Sequence, residues 1–225
     1  MYNEKLIMCS YIRGCIQKQN NTNNTPIFTK PLLELTNQEI EDLISIGNEK
    51  HLKLYYFKEK EDLPRVSIVL GFLKNIYPNT ILDVGSGRGV FLFPLIREFP
   101  NTNITSIEIL PNRLELLNNI KNGGISNLNV LKEDLTHLSF NDNSFDVVTI
   151  LEVLEHINEV QKAIKEAIRV SKQFIVITVP SKEDNNPEHI HLLTKDILTN
   201  IFNEYGVKNL KFGGVNGHLF LVAKK

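Results

Sequence analysis

Cysteine is almost missing from this chain. Only Cys9 and Cys15 occur in 225 residues, with no CxxC pair and no four-cysteine pattern. That scarcity excludes a disulfide scaffold and a zinc ribbon, and it suits a reducing cytoplasm. Long apolar runs are missing too: nothing approaches the 18 or so residues of a membrane-spanning helix. The opening MYNEKLIMCSYIRGCIQ has neither a long apolar centre nor a small-residue cleavage site, so a soluble, unexported protein is expected. An excess of one charge is also absent. Lys and Arg number 25 against 26 Asp and Glu, for a net charge of −1 and a pI near 6.6. No global attraction to nucleic acid or anionic membrane follows, although a local basic groove stays open. Internal repeats are lacking, and 42% hydrophobic residues can fill one sizeable core.

What is present falls into two parts. Residues 1–79 read as an N-terminal extension and helical cap, with the Asn-rich stretch 17–26 as a loop. Within it, Thr36 and Glu39 form a capping box ahead of Ile40, Leu43 and Ile44, and Gly47 is expected to close that helix. A second amphipathic helix is predicted from Pro64 to Ile76. From Thr80 to Lys225 short β-rich runs alternate with helical patterns. The runs are 81–84, 104–109, 128–131, 145–151, 174–179, 210–212 and 219–223. The helical patterns are clearest around Val160–Ile168 and Thr194–Gly206. Strand–helix alternation predicts an α/β fold with a mostly parallel, doubly wound sheet. The last two runs are too close together for a helix and should pair antiparallel through GGVNG. Pro94 falls inside the helix expected after the first strand and should kink it.

The chemistry concentrates at the strand ends. In ILDVGSGRG, Gly85, Gly87 and Gly89 follow an apolar strand and precede a helix. Such a turn brings a ligand against bare backbone at a helix N-terminus. The spacing is GxGxG, whereas a dinucleotide fingerprint is GxGxxG. Glu108 ends the next strand, where a carboxylate can accept from ribose hydroxyls, and Asp134 follows the third, near the place of an adenine.

These motifs, in this order, resemble the class I S-adenosylmethionine-dependent methyltransferases from Thr80 to Lys225. ILDVGSGRG is similar to the family's first motif, TSIEIL to its ribose-binding strand end, and LKEDLTHLSFNDNSFDVVTILEVLEHI to its third and fourth strands. The resemblance implies seven strands with the last antiparallel, and a cofactor lying across the carboxyl ends of the first four. It also implies that Asp83, Gly85, Ser86 and Gly87 face the methionine part. Glu108 would hold the ribose, Asp134 and Leu135 the adenine, and Leu151 would approach from the fourth strand.

Methyl transfer from a sulfonium is a displacement that needs alignment, with a base only where the acceptor must lose a proton. Glu152, Glu155 and His156 in LEVLEHI would share one face if that segment is helical, and Glu188, His189 and His191 follow the fifth strand. The favoured reading gives Glu152 to the cofactor side of the pocket, with His156 and His191 shaping the substrate mouth. These three are the catalytic candidates, acting on a small-molecule acceptor without a metal. The competing reading assembles a divalent-metal site from Glu152, Glu155, His156 and either His189 or His191, since carboxylates and imidazoles suit Mg, Mn or Zn. The segment resembles the Glu-x-x-Glu-His pattern of small-RNA 3′-terminal 2′-O-methyltransferases, and some quinone-pathway O-methyltransferases share a similar run. The balanced charge weighs against RNA. Two further readings stay open: a nicotinamide-dependent oxidoreductase, and a non-catalytic module that binds the nucleoside cofactor. His51, Lys53, Tyr55, Tyr56, Phe57, Lys58 and Arg65 are candidates for the acceptor pocket.

Overall fold

The computed structural model describes residues 1–20, 28–57, 63–183 and 185–225. Residues 21–26 of the expected loop, and Lys58 of the candidate acceptor pocket, lie outside them. Seven strands form one sheet: β1 (Thr80–Val84), β2 (Asn103–Ile107), β3 (Leu128–Leu131), β4 (Phe145–Leu151), β5 (Ser171–Pro180), β6 (Asn209–Val215) and β7 (His218–Lys224). Their order is β3-β2-β1-β4-β5-β7-β6, and β7 runs antiparallel to both neighbours. The order reverses between β1 and β4, which opens a crevice at the carboxyl ends of those strands. β1 is buried along nearly its whole length, as a strand covered on both faces must be.

Two cores flank the sheet. One packs α1 (Glu4–Asn20), α2 (Asn37–Glu49), α3 (Pro64–Ile76), α4 (Leu92–Glu98) and α5 (Pro111–Asn122) against one face. The other packs α6 (Val160–Val170) and α7 (Lys195–Glu204) against the opposite face. Thr36 caps α2 with the expected reciprocal box: its hydroxyl accepts from Glu39 N–H, and the Glu39 carboxylate accepts from Thr36 N–H. Gly47, however, does not end the helix. A methyl group there would lie 2.8 Å from Ile12 Cδ1, so the residue lets α2 approach α1. Pro94 does not kink α4. It falls in the first turn, where backbone N–H groups lack intrahelical partners, so its missing N–H costs nothing.

The N-terminal helix departs most from expectation. Residues 17–20, expected in the loop, complete α1. Leu6, Ile7, Cys9 and the run from Ser10 to Ile16 are all buried, so the helix shows no solvent face whose period could be read. It lies on α5 rather than standing apart as a cap. A Cβ at Gly14 would fall 1.9 Å from Asn119 O, and one at Gly123 only 1.7 Å from Ser10 O. Both cysteines are unpaired and buried, and burial pushes the Cys9 thiol up to about 11.

The β6–β7 turn is Asn216–Gly217, both with positive φ (41° and 84°), the two-residue hairpin geometry that matches strand twist. Gly213 and Gly214 lie within β6. The hairpin brings His218 opposite Pro180, at the carboxyl end of β5.

Gly14→Ala and Gly123→Ala should each destabilise the fold by about 1–3 kcal/mol or more, because the obstruction is backbone. Gly71→Ala in α3 meets nothing within 4 Å and should instead stabilise by about 0.5–1 kcal/mol. Urea unfolding checks all three; equal effects at Gly14 and Gly71 would contradict the α1–α5 contact described.

Candidate active site

The loop after β1 is held from beneath. Asp83 is 2% exposed. Its Oδ2 accepts from Ser86 Oγ at 2.5 Å and its Oδ1 from Thr149 Oγ1 at 3.0 Å, while the Ser86 and Ser106 hydroxyls meet at 2.6 Å. Burial pushes the Asp83 carboxyl up to about 7, the two hydroxyl donors pull it back, and the nearby Glu108 charge adds to the rise. Above this network, Gly85 (φ 65°) and Gly87 (φ 59°) take left-handed backbone. A Cβ on Gly85 would also lie 2.6 Å from Val153 Cγ2, so this turn requires glycine twice over.

Glu108 closes the loop from the β2 side. It is 3% exposed; Oε2 accepts from Gly87 N–H at 3.0 Å, and Oε1 from the N–H groups of Ile109 and Leu110 at 2.9 and 3.0 Å. A carboxylate fixed by three backbone donors stands ready to receive hydroxyls on its remaining lone pairs. After β3, Asp134 accepts from the Thr136 N–H and hydroxyl at 2.8 and 2.9 Å, and Leu135 is buried beside it.

These strand ends enclose a cavity of about 560 Å³ lined by Gly85, Glu108, Asp134, Leu135, Glu152 and His156, among others. Its size and its mix of apolar wall with a few convergent carboxylates suit a nucleoside-sized ligand. Asp83, Ser86, Gly87 and Leu151 are not part of this lining. Asp83 and Ser86 hold the loop from below, and Gly87 reaches the cavity through its bond to Glu108. Arg113, Ile109 and Val153 do line it, and the sequence pattern did not single them out.

LEVLEHI is not one helical face. Glu152 has a left-handed backbone (φ 55°), and Leu154–His156 form a short 3₁₀ turn. The break sends the three side chains different ways. Glu152 Oε1 accepts from Thr178 Oγ1 at 2.8 Å. Its Oε2 lies 3.0 Å from His218 Nε2 and 3.9 Å from Arg65 Nε. Glu155 is 1% exposed. Donor atoms of Glu155, His156 and His189 all lie within 4.8 Å of one another, and the two imidazole rings meet at 4.9 Å. His156 Nδ1 lies 2.8 Å from the Glu188 carbonyl, a pairing in which Nδ1 donates, so in the neutral ring Nε2 is the acceptor. His191, grouped with them by the sequence, lines a separate groove beside Ile190 and Leu192. His218 went unnoticed because only the hairpin brings it to β4.

Strand order, glycine loop and cavity together define a nucleoside-cofactor-binding α/β fold of the methyltransferase type. A methyltransferase-domain family model matches residues 78–206, more than half of the 225-residue chain, and the chain belongs to that family. It is 36% identical over 105 residues to the ubiquinone/menaquinone biosynthesis C-methyltransferase UbiE of Zymomonas mobilis, covering 45% of this chain and 43% of that protein. It is 30% identical over 133 residues to the ubiquinone biosynthesis O-methyltransferase of Rickettsia conorii, covering 55% and 45%. The chain thus spans less than half the length of these two curated relatives. A crystal structure of a proposed O-methyltransferase from Nostoc punctiforme superposes with a TM-score of 0.61 at 12% identity, over 98% of this chain and 69% of that one. The shared fold therefore takes in the N-terminal helices.

The Asp83 network gives stability a pH dependence. In the unfolded chain Asp83 ionises near pH 4 or so; in the folded chain it does so at about 7. Between those values the folded state holds the extra proton, so this contribution to stability falls as pH rises from about 4 to about 7 and is level above. Asp83→Asn should remove that part of the slope. Urea midpoints at pH 5 and pH 8 would then differ less in the variant than in the wild type; an unchanged difference would assign the slope elsewhere.

Proposed function

We propose that this protein transfers a methyl group from S-adenosylmethionine to a small-molecule acceptor by direct displacement, releasing S-adenosylhomocysteine. The observation that carries the reading is the cavity in which Gly85, Glu108 and Asp134 converge from three successive strand ends. Glu108 takes the ribose hydroxyls, Leu135 and Asp134 the adenine, and the left-handed backbone at Gly85 and Gly87 lets the methionine part approach closely. His156 offers Nε2 to an acceptor that must lose a proton. Glu152, already facing Thr178, His218 and Arg65, orients groups. The quinone-pathway relatives support a small acceptor, and among the described residues no helix is long and apolar enough to cross a membrane. The two unpaired buried cysteines support a cytoplasmic site of action.

Titration calorimetry tests this: both S-adenosylmethionine and its demethylated product should bind, while NADH should not. Glu108→Ala should weaken binding roughly tenfold or more, as loss of a charge-assisted hydrogen-bond acceptor does. Absence of binding at millimolar concentration would sink the proposal.

The grouping of Glu155, His156 and His189 favours a second reading, metal assistance. One carboxylate and two imidazoles make a plausible Mn or Zn donor set, and the Glu188 carbonyl on His156 Nδ1 is the outer-shell contact that orients a ligating imidazole. A metal there would polarise an acceptor hydroxyl. Equilibrium dialysis with Mn should show one bound ion per chain, lost in His189→Ala. No uptake by the wild type excludes this reading and leaves the first intact.

A further inference from the structure

Arg13 sits in the middle of α1, inside the run that is buried from Ser10 to Ile16. The residue is only 5% exposed. An arginine that deep is ordinarily paired with a carboxylate. Arg97 meets Glu4 and Glu98, and Arg169 meets Glu166 and Asp142. Arg13 has no carboxylate partner among the described residues. Its one hydrogen bond runs from Nη1 to the Lys30 carbonyl at 2.7 Å, and its Cζ lies 5.0 Å from the centre of the Phe28 ring. Nε is buried without a hydrogen-bond partner. Burial pushes the guanidinium's pKa down, and the opposing influences of Cys9 and Glu39 do not cancel that. A buried donor and a buried charge left in this state cost stability until a ligand answers them.

The same residue lines a cavity of about 630 Å³, with Phe28, Thr29 and Asn122 around it. Lys18 and Lys30 also line it, and no aspartate or glutamate does among the described residues. Each lysine is already paired outside the lining, Lys18 with Glu115 and Lys30 with Glu39, both at 2.6 Å. The positive charge left unanswered is therefore that of Arg13. Phe28, Pro31 and Leu32 give the cavity an apolar wall. It shares no lining residue with the cavity at the strand ends. α5 joins the two: Arg113 in its first turn lines the strand-end cavity, and Asn122, its last residue, lines this one.

We propose that the cavity between the ends of α1 and α5 is a second binding site, which takes the carboxylate or phosphate group of a small organic anion on Arg13. The guanidinium donors that the Lys30 carbonyl leaves over pair with the anion's oxygens, the geometry in which this side chain binds such groups most strongly. The apolar wall receives the rest of the ligand. The site is independent of the methyl-donor reading and stands or falls without it.

Titration calorimetry in a phosphate-free buffer tests it with phenyl phosphate, benzoate and benzyl alcohol, the last having the ring but no charge. At least one anion should bind once per chain with a Kd of about 1 mM or tighter, and benzyl alcohol roughly tenfold more weakly or not at all. The tighter of the two anions identifies the group as phosphate or carboxylate. Excess S-adenosylhomocysteine should not displace it. Arg13→Met should keep the wild-type far-UV circular dichroism and lose anion affinity by roughly tenfold or more. The urea midpoint of the wild type should rise with about 20 mM of the bound anion, and that of Arg13→Met should not. Thr29→Glu sets a carboxylate in the lining at an exposed position and should weaken the anion roughly fivefold or more; it decides the matter if Arg13→Met does not fold. Four results overturn the proposal: neither anion binds, benzyl alcohol binds as tightly, S-adenosylhomocysteine displaces the anion, or the deciding variant keeps wild-type affinity.

Discussion

The hydrogen bond from Gly87 N–H to the Glu108 carboxylate is the contact on which the rest of the cavity depends. It ties the turn after β1 to the end of β2, so the turn cannot relax away from the crevice that the strand order opens. The same carboxylate takes the N–H groups of Ile109 and Leu110, so one side chain sets the loop, the start of α5 and part of the pocket lining together. Beneath it, Asp83, Ser86, Ser106 and Thr149 form a closed polar network in which each hydroxyl has an acceptor. A buried network of this kind is favourable only when fully satisfied. It therefore fixes one loop conformation and tolerates few others, which is what a site reading a ligand through its backbone requires.

The helical side follows from the same constraint. A sheet covered on both faces needs helices that can approach closely, and on one face the glycine contacts between α1 and α5 provide the approach. Since α1 packs on the helix that begins just beyond Glu108, α5 links the N-terminal segment to the wall of the cavity. The N-terminal residues are thus part of the fold's core.

What could be read from the sequence was what repeats locally. Strand positions, the capping box at Thr36, the hairpin and the acids at the ends of β2 and β3 all have signatures within a few residues. What could not be read depends on chain segments far apart. The residues of α1 are buried nearly all round, which removes the period that marks an amphipathic helix. Gly47 looked like a stop signal because its partner, Ile12, lies in another helix. Pro94 looked disruptive only while the helix was assumed to start at the glycines. In LEVLEHI a helical face was the simplest assumption, and one left-handed residue, Glu152, undid it. No local rule announces that a glutamate will take φ near +55°; the cost, on the order of 1–2 kcal/mol, is borne because Thr178 and His218 hold its side chain in place.

That turn also separates two kinds of work that the sequence had merged. A carboxylate that accepts from a threonine hydroxyl and faces an imidazole and a guanidinium is held in one orientation. It is well suited to fixing the orientation of whatever lies against it. His156 is placed the opposite way. Its Nδ1 is committed to a backbone carbonyl, and Glu155 and His189 crowd near it. On the proposed function, proton or metal chemistry falls to the 3₁₀ turn and the loop after β5, and alignment to Glu152 and the hairpin. Because the sulfonium supplies its own leaving group, most of the barrier to methyl transfer yields to alignment. The strain at Glu152 accordingly falls on the aligning side of the proposed site, where angstrom-scale errors cost rate.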